Sequence, residues 1–177
     1  MNAQVRQSAR HPSRLIAFAA ALLLAGCPYV SEFPLGSPAE AIDDAALPGT
    51  WKSAAESEED FTLTISSAGD TPLTLLAESP GEEAASYPAF VSAVGGELFL
   101  NIQDTAESGR WYLANYRLNE GRLRLRLVDD ELIGSQTLAS TEELQAFLLR
   151  NLDDPRLYGG QEAEAWDWVL ERLAPEG

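Results

Sequence analysis

Histidine and cysteine occur once each in the 177 residues, at His11 and Cys27, and lysine occurs only at Lys52. Beyond Cys27 the chain therefore offers no imidazole and no thiol. Zinc sites built from Cys and His, cysteine nucleophiles, Ser-His-Asp triads and histidine-ligated haem are excluded from that part by composition alone. Positive charge is scarce as well. All 28 Asp and Glu follow residue 26 whereas Arg6, Arg10 and Arg14 precede it, which leaves nine basic side chains against 28 acidic ones and a formal charge of −19. Such a surface repels phosphate, so nucleic acid is not an expected partner. There is no Asp-x-Asp-x-Asp-Gly calcium loop and no Ser-x-x-Lys pair, and Ser135 lacks the flanks of a nucleophile elbow. No metal, cofactor or catalytic residue is expected, and the chain reads as a non-enzyme.

What is there begins with an address. Arg6, Arg10, His11 and Arg14 precede an apolar run from Leu15 to Ala25, too short to span a bilayer and patterned like a secretory signal. Leu24-Ala25-Gly26-Cys27 resembles the lipobox of bacterial lipoproteins, in which small residues before the Cys admit a dedicated signal peptidase and the sulfur carries a diacylglycerol. The resemblance implies a signal peptide over 1–26, lipidation of Cys27, further acylation of the new amino terminus and stable anchoring in a membrane. Pro28 stands where inner-membrane retention commonly calls for Asp. The resemblance thus places the body on the periplasmic face of the outer membrane, with the inner membrane or the cell surface as alternatives.

Residues 28–46 hold three prolines and no sustained period, so 27–46 is expected to be the lipidated Cys and a flexible tether spanning roughly 25 Å. From 47 to 138 period-two alternation broken by turn residues argues for antiparallel strands. Phe61, Leu63 and Ile65 alternate with threonines, and a return strand follows over Thr71 to Glu78. Gly95-Gly96 supplies the positive φ angles of a two-residue hairpin and sets Ala89, Val91 and Ala93 on one face with Leu98, Leu100 and Ile102. A turn at Glu120-Gly121 likewise aligns Tyr112, Ala114, Tyr116 and Leu118 with Leu123, Leu125 and Leu127. With short strands at Gly49 to Ser53 and Leu132 to Leu138 the meander has about eight strands, which abolish their edges by closing into a small barrel, or else form a strongly curved sheet.

The last quarter, 139–177, changes period. Ser140 to Glu143 is a capping box, and Leu144, Phe147, Leu148 and Leu152 follow at helical spacing until Pro155. Ala163, Trp166, Val169, Leu170 and Leu173 mark a second amphipathic helix. Phe90, Phe99, Trp111 and Leu113 lie on the sheet face opposite the leucines, and the helical pair is expected to pack there. The fold expected is mainly β with C-terminal helices outside the barrel.

Gly49-Thr50-Trp51 on a first strand, followed by such a meander and then a helix, resembles lipocalins and the lipocalin-like lipoproteins of bacteria. In that group the Trp packs across the closed end of the barrel and an Arg from a late strand stacks on it. The resemblance gives Arg124 or Arg126 that part, without choosing between them.

Arg110, Arg117, Arg122, Arg124 and Arg126 gather on one hairpin of an otherwise acidic domain. The last four are candidate contacts for an anionic ligand or partner, since guanidinium groups fork onto carboxylate and phosphate. The same pattern fits outward positions that pair with neighbouring acids. Acidic clusters such as Glu82-Glu83 and Asp129-Asp130-Glu131 sit at turns and read as solvated surface. Trp168, set off the stripe of the second helix, is a candidate partner contact. These features point to a membrane-anchored, periplasm-facing structural or adaptor module that holds a protein partner. The alternative is a lipocalin-like binder of a small apolar molecule or lipid.

Overall fold

The computed structural model describes residues 28–55, 60–67, 72–107, 109–160 and 167–174. The expected signal peptide, Cys27 and Trp166 lie outside the described residues.

Among the described residues nine strands make one sheet: β1 (Val30–Ser31), β2 (Gly49–Ser53), β3 (Thr62–Ser66), β4 (Leu73–Glu78), β5 (Ala85–Val94), β6 (Glu97–Gln103), β7 (Trp111–Asn119), β8 (Arg122–Leu127) and β9 (Asp167–Arg172). Strands β2 to β8 pair antiparallel with their neighbours in sequence, and β9 pairs antiparallel with both β8 and β2. The sheet thereby closes into an eight-stranded barrel, the expected architecture, with β1 added on β7. Closure leaves the barrel strands without an exposed edge.

The hairpin registers follow the turn chemistry. Gly95 and Gly96 at φ +62° and +88° put Ala89 opposite Ile102, Val91 opposite Leu100 and Ala93 opposite Leu98. Glu120 and Gly121, at φ +49° and +78°, do the same for Tyr116 with Leu125 and Leu118 with Leu123. The leucine-rich face points inward, where Leu63, Ile65, Leu75, Val91, Leu100, Tyr116, Leu123, Leu125 and Leu170 form the interior core.

Two expectations exchange places. The strand expected at Leu132 to Leu138 is instead a short helix, α1 (Asp130–Ile133), because Asp129 leaves the sheet and accepts the Glu131 N–H as its cap. The second helix expected over 163–173 gives way to β9. Its residues fit either period, and the open edges of β8 and β2 decide, since a strand there satisfies two ladders. The first helix is as expected: α2 (Thr141–Asn151), with Ser140 Oγ accepting the Glu143 N–H at 3.3 Å. Among the described residues there are two α-helices, both in the connection between β8 and β9.

These helices cover the outer apolar patch. Phe99, Leu113, Leu144, Phe147, Leu148, Ile133 and Leu157 form a second core outside the barrel wall, with Trp111 against it. Phe90 meets Trp111 edge to face at 5.5 Å.

Residues 28–48, expected to be mostly tether, are bound along this wall. Val30 and Ser31 pair with Tyr112 and Trp111. Leu35, 1% exposed, donates its N–H to Asn101 Oδ1 at 2.6 Å. Ile42 donates to the Val91 carbonyl, and Leu47 is buried in the barrel core. The expectation of flexibility rested on the missing period, and the segment is held by contacts made one at a time.

Candidate functional site

The two ends of the barrel differ. At the end where Gly95-Gly96 and Glu120-Gly121 turn, Trp51 is fully buried and donates Nε1–H to the Leu47 carbonyl at 3.1 Å. The Arg172 guanidinium lies 4.3 Å from the Trp51 ring centre. Its Nη1 donates to the Pro48 carbonyl at 3.0 Å and its Nη2 to that of Ala46. Gly49, at φ +153°, admits this arginine, since a Cβ there would stand 2.7 Å from Nη1. The Tyr116 hydroxyl donates to Asp44 Oδ2 at 2.9 Å, and burial followed by that carboxylate pushes the phenol far above its ordinary pKa. This end is capped by Trp51, Arg172 and the segment leading into β2, with inward Leu98 and Leu118 partly buried beside them. The stacked arginine is Arg172, from the last strand, and not Arg124 or Arg126.

At the opposite end the inward side chains are apolar but only half-buried. Phe61, Ala77, Tyr87, Ile102, Leu127 and Trp168 pack against the interior core there. Phe61 and Trp168 meet edge to face at 6.0 Å and 79°. Trp168 is thus a lining residue of a strand. A helical reading turned it outward, while alternation of Trp168 with Val169 and Leu170 places it inside. Tyr112 shares this inward face, and burial raises its phenol pKa, with Asp104 adding to the shift.

The arginine hairpin is outside the barrel, and each guanidinium in it has a partner. Arg117 donates from Nε and Nη2 to Glu97 at 3.1 and 2.7 Å, and that bond leads the causes that lower the Glu97 pKa. Arg122 reaches Glu171 at 2.8 Å. Arg124 forks onto Asp167, with Nε to Oδ1 at 2.8 Å, and its own pKa rises in consequence. Arg126 donates to Asn115 Oδ1 at 2.7 Å and stacks on the Tyr158 ring at 4.0 Å. The four arginines come together on one surface, where Arg117, Arg122 and Arg124 are paired with acids that β6 and β9 bring beside them and Arg126 is held by the Asn115 amide and the Tyr158 ring. A helical period over 167–172 conceals the β9 acids as partners, because it does not set them beside β8.

Among the described residues no group of three or more His, Cys, Asp or Glu could hold a metal ion. Among them also no helix is long and apolar enough to cross a membrane. No known family, curated protein or solved structure matches the chain.

Proposed function

We propose that the chain is a membrane-anchored, non-catalytic bacterial lipoprotein, held by acylated Cys27, whose lipocalin-like barrel binds a small apolar molecule or lipid at its half-buried end. One observation carries the binding part. The inward ring of Phe61, Tyr87, Ile102, Leu127 and Trp168 is partly accessible, and at the other end Leu47, Trp51 and Arg172 cover the core beside the partly buried Leu98 and Leu118. Apolar walls with few polar groups suit a ligand recognised by shape and burial. The Gly49-Thr50-Trp51 segment under a stacked arginine supports the likeness to lipocalins. The order of elements departs from that likeness, because the helices precede the last strand. The resemblance of Leu24 to Cys27 to a lipobox supports the anchor, and Pro28 in place of Asp supports the outer-membrane, periplasm-facing location.

A second reading is a structural or adaptor module with a protein partner. It is favoured by the filled middle of the barrel, where Leu63, Ile65, Leu100, Tyr116 and Leu123 are buried. Native mass spectrometry of the protein released from membranes and stripped of detergent separates the two. A discrete non-covalent adduct, lost in Ile102→Arg, supports binding. Bare acylated polypeptide overturns it in favour of the adaptor.

A further inference from the structure

Polar side chains at the mouth of the apolar ring gather around Asp104. Continuing the register of β5 and β6 outward from Ala89 opposite Ile102 sets Tyr87 across from Asp104. On the other side the Asp104 N–H donates to the Arg110 carbonyl at 2.9 Å. Alternation from Ile102 gives Asp104 the inward side, which it shares with Tyr112, the partner of Ile102 on β7. Asp104 Oδ1 accepts the N–H groups of Ala106 at 2.8 Å and Glu107 at 3.3 Å, which fixes the half-buried carboxylate at the start of the turn into β7. Burial, then the charge of Asp104, then Tyr87 raise the Tyr112 phenol pKa, so the three groups share one locality. The neighbouring guanidinium of Arg110 donates to Glu107, and Asp104 acts on it without a hydrogen bond. Lys52 is paired with Asp60. Exposed Glu78, Glu82 and Glu83, at the end of β4 and in the loop after it, add negative charge at the same end.

From this we infer that the half-buried end of the barrel prefers an amphiphile with a cationic ammonium head, its chain against Phe61, Ile102, Leu127 and Trp168 and its head between the Asp104 carboxylate and the Tyr87 and Tyr112 rings. The inference rests on the apolar-ligand reading and adds the chemistry of the head group to it. A carboxylate and the faces of aromatic rings both attract an ammonium, and both repel an anionic head. The acids of the neighbouring loop act in the same direction over the Debye length. An anionic chain of equal length still binds through its apolar part, but more weakly.

The test loads the full chain with the neutral probe phenylnaphthylamine and displaces it with oleylamine, oleyl alcohol or oleate, which share one chain and differ in head charge. Oleylamine should displace the probe at a concentration about tenfold lower than oleate, with oleyl alcohol between them. Attraction of any cation to an acidic surface would give the same order without a site, so two variants locate it. Asp104→Asn keeps an oxygen for the Ala106 N–H and removes one charge at the mouth, and it should close most of the gap between oleylamine and oleate. Glu120→Gln removes one charge at the opposite end, in the turn between β7 and β8, and should leave the gap as it was. Equal displacement by the three chains, or equal effects of the two variants, overturns the head-group preference while saturable displacement keeps the apolar-ligand reading intact. No saturable binding of the probe or of any chain overturns both.

Discussion

Arg172 stacks on Trp51 at 4.3 Å while donating to the carbonyls of Pro48 and Ala46, so the last strand of the barrel clamps the segment that enters the first. A cation on an aromatic face contributes about 0.5–1 kcal/mol at an accessible site, and the carbonyl bonds add about as much again. Arg172→Ala should therefore lower stability by about 1–2 kcal/mol, read as a fall in urea midpoint. Arg172→Lys should recover less than half of the loss, because an ammonium cannot stack and fork at once. Gly49→Ala should act through the same clamp, since its Cβ would displace the guanidinium.

Asn101 is fully buried, and its side chain joins three elements. Oδ1 accepts from Leu35, while Nδ2 donates to Ser92 Oγ at 3.0 Å and to the Phe90 carbonyl at 3.3 Å. Asn101→Ala would leave the Leu35 N–H buried and unsatisfied, at a cost of about 1–3 kcal/mol. Hydrogen exchange should show residues 28–47 opening in that variant before the barrel strands do.

Asp129 is 2% exposed, and its Oδ2 has no hydrogen-bond partner among the described residues. Desolvation raises its pKa; the Glu131 N–H bond opposes the rise, and the charges of Asp130 and Glu131 reinforce it. A carboxyl whose folded pKa exceeds the unfolded one destabilises the fold when ionised. The penalty is present above the folded pKa and disappears as pH falls toward the ordinary carboxylate value. Asp129→Asn keeps a capping oxygen for Glu131 and removes the charge. The variant should be more stable than the parent at neutral pH, with the difference closing as the buffer is acidified. Thermal melts of both proteins across pH 4 to 7, a window set by about where unfolded carboxylates titrate, check the sign.

The arginine surface should be nearly silent in stability. Arg122 and Glu171 keep 58% and 51% of their side chains in solvent, where an ion pair is worth little. Arg122→Ala should shift stability by less than about 0.5 kcal/mol. A larger loss in urea titrations would mean that β8 and β9 depend on the pair for closure.

Where period and turn chemistry agreed, the fold was legible. Gly95-Gly96 and Glu120-Gly121 fixed two registers, and Ser140 with Glu143 fixed the start of α2. The inward leucines and the outer patch at Phe99 and Leu113 followed from alternation alone. Residues 167–172 were not legible, because Trp168 and Leu170 suit a strand while Val169, Leu170 and Leu173 suit a helix. Only the unpaired edges of β2 and β8, distant in sequence, resolve that ambiguity. The same error hid Arg172 as the partner of Trp51 and Trp168 as a lining residue. Leu35 was unreadable for another reason: its anchor is Asn101, 66 residues away, and one contact leaves no periodic signature.

The central claim is that the end lined by Phe61 and Trp168 takes an apolar molecule, and a fluorescent fatty acid titrated into the protein tests it most directly. The account predicts saturable binding displaced by oleate, with affinity at least about tenfold weaker, or 1.4 kcal/mol, in Trp168→Arg. Arg122→Ala should bind as the parent does. Absence of saturable binding, or equal affinity in Trp168→Arg with its strand content intact by circular dichroism, would contradict it.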